Sequence, residues 1–318
     1  MKIYLLNSIY FISYYIGVVR LFYFLNNKRQ RVITYHNIIP DKYFSKSLCL
    51  GVSCKESNFN YQIRLIEDVF NITTQLNKPG TCMITFDDGY QNNYSIAMNI
   101  LDKYKVKAIF FISFDLVDKK KIIWIDNILK WCSFIPNGLY TLKDLTLQVK
   151  SDNRLFIYQQ IINIIRKEYK LRDDIIKLLN QQYPFCNLNV DAEFNLLRFC
   201  PLNFSQITEM KKNNHLIASH TISHDILSLL TKQELRSEIN TSESLIGKFY
   251  NCDYFAYPFG QEIDIPEIST NKFRALFVNY WNYFSEFSLQ RIERFSLPDT
   301  KNKYIIHAHL SGLYYFLR

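Results

Sequence analysis

Short runs of aliphatic, β-branched and aromatic residues recur along the chain, and segments with helical period lie between them. The runs at 31–37 (RVITYHN), 82–86, 108–112, 216–219 and 254–257 read as strands. Between the first two, 57–76 places Phe59, Ile63, Ile66, Val69 and Phe70 close to helical period, and Lys78-Pro79-Gly80 stops it. The stretches 90–104, 205–213 and 232–250 also read as helices. Alternating strands and helices in a chain of 318 residues predict a parallel α/β domain, whose ligand sites gather at the carboxyl ends of the strands. Between about 119 and 200 the alternation lapses into helix-like pieces, 153–166 and 171–181 among them, which read as a helical insertion. That insertion either covers the site or packs beside it. The expected organisation is a hydrophobic N-terminal helix over 1–28 and one α/β domain over 29–318.

Composition removes several classes. At 48% hydrophobic and 16% aromatic, the chain has ample apolar surface for a core and is neither disordered nor collagen-like. The net charge of +9 suits an anionic partner, but the basic residues are scattered, with no zinc-finger spacing and no aromatic RNA-binding signature, so no nucleic-acid partner is expected. Seven cysteines without a C-x-x-C pair argue against a disulfide framework and against a cysteine zinc site, and favour a reducing compartment. With only 8 glycines, each is expected where the backbone demands one, Gly89 and Gly260 in particular.

The run 3–25 has only Asn7, Ser8, Ser13 and Arg20 as clearly polar members, a length that can span a bilayer, lie on its surface as a helix, or be buried in the protein. It lacks the basic leader and small-residue cleavage site of a secretory signal. Positive charge follows it, in Arg20, Lys28, Arg29 and Arg31, so the positive-inside rule leaves the main domain on the cytoplasmic side. The segment is accordingly a candidate anchor, with the protein at the cytoplasmic face of a membrane or in the cytoplasm.

Three stations carry chemistry. Thr85-Phe86-Asp87-Asp88-Gly89 sets two adjacent carboxylates at the end of a predicted strand. Adjacent residues diverge there, so one can bind a cation while the other faces its water; the competing reading is a turn that caps the next helix. Ser219-His220-Thr221-Ile222-Ser223-His224 follows another strand, with two imidazoles at a spacing that can aim both rings at one point. A carboxylate and two neutral imidazoles make a three-ligand set that leaves zinc an open position. Alone, such a histidine pair also fits two exposed or hydrogen-bonding side chains. Phe255-Ala256-Tyr257-Pro258-Phe259-Gly260 ends a third strand with aromatics able to form a platform for sugar faces, or with ordinary core and turn residues.

In this order the three stations resemble the polysaccharide deacetylases of carbohydrate esterase family 4, the domain also found in chitooligosaccharide deacetylases. The resemblance covers the chain from about Arg31 onward and rests above all on T-F-D-D-G-Y and S-H-T-x-x-H. Ile33-Thr34-Tyr35-His36, Trp124-Ile125-Asp126 and Leu310-Ser311-Gly312 resemble the branch of bacterial exopolysaccharide, capsule or lipopolysaccharide biosynthesis. The resemblance implies a distorted (β/α) barrel with Asp87 as general base and Asp88, His220 and His224 as ligands of a divalent metal, usually zinc. It further implies hydrolysis of an N-acetyl group on a sugar of a cell-surface glycan or its lipid-linked precursor, with Tyr257, Pro258 and Phe259 at the substrate and a backbone amide near Tyr257 at the oxyanion. Two departures stand out. The arginine that many members carry in the third motif is missing, and Arg291 is expected to replace it beside Asp87, with Arg294 as second choice. The family's late histidine is not evident: His307 and His309 read as strand or terminal-helix residues, whereas His36, ending the first strand, can face the site. The same metal set also suits an O-acetyl esterase or another small-amide hydrolase, and the same scaffold without chemistry suits a glycan-binding or assembly protein.

Overall fold

The computed structural model describes residues 2–45, 52–117, 121–143, 145–260, 272–280 and 287–317. Seven parallel strands form its centre: β1 Arg31–Tyr35, β2 Thr81–Phe86, β3 Ile109–Ile112, β4 Leu216–Ser219, β5 Tyr254–Ala256, β6 Ala275–Val278 and β7 Ile292–Glu293. Each pairs with its neighbour in chain order. The order then closes on itself. Just past β7, Phe295 bridges Ile33 of β1, its N–H donating to the Val32 carbonyl at 3.1 Å and its carbonyl accepting from Thr34 at 3.0 Å. The result is a distorted (β/α) barrel.

Nearly every barrel-strand residue is buried, as in a sheet covered on both faces. Alternate residues take opposite sides. Val32, Met83, Ile109, Phe111, Ala218, Ala256, Phe277 and Ile292 fill the barrel, while Ile33, Tyr35, Ile84, Phe86, Phe110, Ile112 and Ile217 face the surrounding helices. That outer layer is the larger core.

Several expectations need correction. The helix begun at Glu56 ends at Glu67, and the chain then contributes a two-residue strand, Asn71–Ile72, beside β2. The helix from Lys232 ends at Ser244. The insertion, whose residues 119 and 120 lie outside those described, is not wholly helical. Between its helices Trp124–Phe134 and Arg154–Lys167 stands an antiparallel hairpin, Gly138–Leu142 with Leu145–Val149. The N-terminal segment is two helices rather than one, α1 Lys2–Tyr15 and α2 Val18–Leu25, bent by 79° at a break where Gly17 has φ 86°. Among the described residues no single helix is long and apolar enough to cross a membrane, though the bent pair passes by length and composition together. Both helices pack on the helix Lys303–Ser311, through Tyr14 against Tyr304 and His307 and through a Tyr23 hydroxyl to His307 Nδ1 contact of 2.9 Å. All six described cysteines are free.

Candidate active site

The barrel strands end at one rim, where Asp87, Asp88, His220 and His224 meet with Arg294 and His36. β2 delivers Asp87 and Asp88 in succession. The Asp87 N–H still belongs to the sheet, donating to the Tyr35 carbonyl at 3.0 Å. Asp88 then adopts φ 74° and Gly89 φ 71°, so the chain turns sharply and the two carboxylates part. A Cβ on Gly89 would lie 2.9 Å from Cγ2 of Ile112, so glycine is needed there for space as well as for its backbone.

Asp88 turns to the loop that follows β4. Its Oδ1 lies 3.3 Å from Nε2 of His220 and 3.0 Å from Nε2 of His224, with all three residues buried. The loop is wound tightly: Thr221 has φ 68° and His224 φ 59°, and the His224 N–H donates to Thr221 Oγ1 at 3.1 Å. Left-handed non-glycine residues cost stability and tend to cluster at functional sites. Of the eight such residues among those described, four, Asp88, Thr221, His224 and Phe259, stand on this rim. His220 Nδ1 lies 2.8 Å from the Ala256 carbonyl, which fixes the tautomer that leaves a lone pair on Nε2. His224 Nδ1 is buried with no partner.

This donor set fits a divalent metal. Ligands bonded at 2.0–2.2 Å around a tetrahedral centre stand about 3.3 Å apart, close to the spacing of the Asp88 oxygen from both imidazole nitrogens. A carboxylate with two buried imidazoles is chemistry suited to zinc. Burial works against charge on Asp88, but His224 and His220 outweigh it and hold the carboxyl well below its ordinary range.

Asp87 turns the other way. Arg294 donates to it through both terminal nitrogens, at 2.7 Å to Oδ1 and 2.8 Å to Oδ2, and Nη1 also reaches Thr85 Oγ1 at 3.3 Å. The guanidinium is fully buried inside the barrel, over the rings of Phe111 and Phe277. Burial again opposes the carboxylate charge, and Arg294, followed by His220 and His36, offsets it and leaves Asp87 below its ordinary range. Arg291 does not take this place. Its side chain runs along the outside of β7 to Glu293, 3.3 Å away. His36 does face the site, with Nε2 3.8 Å from Asp87 Oδ2.

The third station divides. Tyr257 is only 2% exposed and packs among Phe255, Leu276 and Val278, with burial pushing its hydroxyl up to about 12. Its N–H is engaged by the Phe277 carbonyl at 3.1 Å, so Tyr257 offers neither a platform nor its own amide to an oxyanion. Pro258 is buried too. Phe259 alone reaches the rim, partly exposed, its ring 5.1 Å from that of His224 and 6.1 Å from Trp124. Gly260 closes this turn at φ 67°, where a Cβ would lie 2.3 Å from Cβ of Asn279.

The insertion braces the histidine loop. Trp124 Nε1 donates to the His224 carbonyl at 3.1 Å, and the Tyr169 hydroxyl donates to Asp225 at 2.8 Å while accepting from the Ile226 N–H at 3.0 Å. Arg172 also pairs with Asp225. From the other side Glu238, on the helix Lys232–Ser244, accepts from the N–H groups of Ile222 and Ser223 at 2.9 and 3.2 Å. Sequence reasoning missed Glu238, because a single acid on an exposed helix carries no signal of what it caps. His307 and His309 sit on the helix Lys303–Ser311 under Tyr23 and Tyr314, away from the rim.

A family model described as polysaccharide deacetylase matches residues 75–146 and 182–275. The stretch it leaves between them holds the helix Arg154–Lys167 and most of Arg172–Gln182. Comparison with curated proteins gives no match. Among solved structures, IcaB from Ammonifex degensii is similar at 15% identity, covering 89% of this chain and 96% of that one with TM-score 0.54. A polysaccharide deacetylase from Bacillus cereus is similar at 17% identity, covering 89% and 68% with TM-score 0.53. The deacetylase PplD from Streptococcus pyogenes, solved in complex with acetate, is similar at 14% identity, covering 85% and 92% with TM-score 0.52. At these identities the likeness is one of fold.

Proposed function

The chain belongs to the polysaccharide deacetylase family and is a deacetylase, and from that premise we propose that it hydrolyses the N-acetyl group of an amino sugar in a glycan with a divalent metal held by Asp88, His220 and His224. The observation that carries the reading is the parting of two adjacent carboxylates, Asp87 onto Arg294 and Asp88 onto two imidazoles.

When bound, the metal supplies the positive charge that makes a water nucleophilic and polarises the acetamide carbonyl. Asp87 is the proton acceptor. It is kept ionised by Arg294, and the bidentate grip leaves lone pairs on both oxygens while fixing the carboxylate plane. His36, whose Nε2 faces Asp87 Oδ2, is the imidazole placed to give a proton to the departing amine. The amide C–N bond breaks, the water oxygen joins the acetyl carbon, and acetate and a free amine leave. Phe259 stands partly exposed at the rim beside His224, aromatic surface of the kind that packs on sugar faces. In a cell-surface glycan or its lipid-linked precursor the substrate would be the N-acetylhexosamine unit.

Asp87→Asn tests the division of labour. Acetate release from N-acetylhexosamine oligomers should fall by about 10²–10⁴-fold or more while the metal stoichiometry of the purified protein is unchanged. Loss of metal together with activity would make Asp87 a ligand, and retained activity would remove it from the mechanism.

A further inference from the structure

Phe11, Ile12 and Tyr15 share one side of α1 at helical spacing and are exposed, as are Ile16 at the break and Phe24 and Leu25 of α2; Ile16 and Phe24 each show 69% of their surface. The other side of the pair is already occupied. Tyr10, Val19 and Phe22 are buried, with Tyr10 and Phe22 packed on Tyr314 and Phe316. Asn26 Nδ2 donates to the Ser311 carbonyl at 2.9 Å, and Arg31 Nε donates to the Leu310 carbonyl at 2.7 Å. The apolar side is therefore held outward by a docked element. Large exposed apolar patches of this kind mark an interaction surface.

Charge indicates what covers it. No Asp or Glu occurs before Asp41 or after Asp299, while Arg20, Lys28, Lys301 and Lys303 fall within those two stretches. Arg20, Lys28 and Lys301 are exposed. An apolar face borne by stretches that carry cations and no acid is complementary to anionic lipid.

We propose that α1 and α2 dock on the surface of an anionic bilayer, lying in the headgroup layer rather than crossing it. Fourteen residues of α1 rise about 21 Å, short of the roughly 30 Å hydrocarbon core, and α2 turns away by 79° instead of prolonging it. A crossing would also tear Tyr14, Tyr23 and Asn26 from the helix Lys303–Ser311. The pair packs on that helix, and none of Asp87, Asp88, His220 and His224 belongs to it. The proposal is independent of the substrate assigned above.

Full-length protein should sediment with vesicles of mixed phosphatidylglycerol and phosphatidylcholine, less with phosphatidylcholine alone, and less as salt rises. Ile16→Asp combined with Phe24→Asp should weaken binding about tenfold or more, while acetate release from a soluble oligosaccharide is unchanged. A Phe24→Trp variant should be quenched more by lipids brominated near the headgroup than by lipids brominated near the chain end. Protein left in the supernatant overturns the proposal, as does deeper quenching, which means spanning. A dimer that the Asp variants dissociate, with vesicle binding unaffected, makes the face an interface between two copies instead.

Discussion

Arg294 rather than Arg291 holds Asp87 because residues along a strand alternate sides: Ile292 points into the barrel, so Arg294 does too, and Arg291 and Glu293 face outward together. That parity is readable from the sequence once Ile292 is taken as core, and choosing the arginine by likeness to a family pattern passed over it. Arg294→Lys should lower turnover by about 10²-fold, since a single ammonium cannot hold both carboxylate oxygens, whereas Arg291→Lys should leave the rate near wild type. Equal losses in the two would contradict the assignment. Arg294→Met should also lower stability by about 3–5 kcal/mol in urea unfolding, because it strands a buried carboxylate. At Gly89, alanine would meet both an unfavourable φ, costing about 1–2 kcal/mol, and the side chain of Ile112. Gly89→Ala should therefore unfold more readily and bind metal more weakly through the displaced Asp88; unchanged metal affinity would show that the turn does not set the ligand.

Five of the seven central strands were legible because a sheet covered on both faces writes itself as continuous apolar runs, so β2, β3 and β4 fall within a residue of the runs 82–86, 108–112 and 216–219, whereas β6 and the two-residue β7 were not read. The hairpin 138–149 was not, since half of its residues are exposed and it sits among helices of similar composition. The ends of the helices from Glu56 and Lys232 were overrun because apolar residues beyond them keep rough helical period while serving a short strand or a turn. The Asp87, Asp88, His220 and His224 positions were legible from spacing, but the carbonyl, acid and tryptophan that brace their loop were not, because tertiary packing alone brings them there. Glu238→Ala should weaken metal binding by about tenfold, within the range seen for outer partners of metal ligands, with little change in thermal stability. No change in affinity would reduce Glu238 to a surface acid. A second prediction concerns the start of β4. Burial, aided by Lys107 and partly opposed by Asp102, pushes His215 down to about 4 from 6.5, so the folded chain keeps it neutral while the unfolded chain protonates. Its contribution to stability is intact above pH 6.5 and is lost as pH falls toward 4, by about 3 kcal/mol in all. His215→Gln, which keeps an acceptor for the Ala108 N–H, should lack that slope in urea unfolding between pH 7 and 4.5. Parallel curves for the two proteins would show that His215 titrates normally.

At the scale of the molecule, closure of the barrel is what converts scattered motifs into a site. The Phe295 bridge to β1 carries Arg294 inward from the last strand to meet Asp87 on the second, and the same ring brings β4 and β5 round so that Ala256 orients His220. The insertion and the N-terminal helices sit outside that ring, one bracing the histidine loop and the other covering the helix Lys303–Ser311. The proposed function turns on a catalytic metal at Asp88, His220 and His224, whose ligand atoms lie close enough together to hold one ion. The most direct measurement is a titration of chelator-treated full-length protein with zinc while acetate release from an N-acetylhexosamine oligomer is followed. Activity should be absent at the start and rise to a plateau at one equivalent, and the rise should vanish in His220→Ala. Full activity in the chelator-treated protein, or an unaltered titration in His220→Ala, would contradict the account.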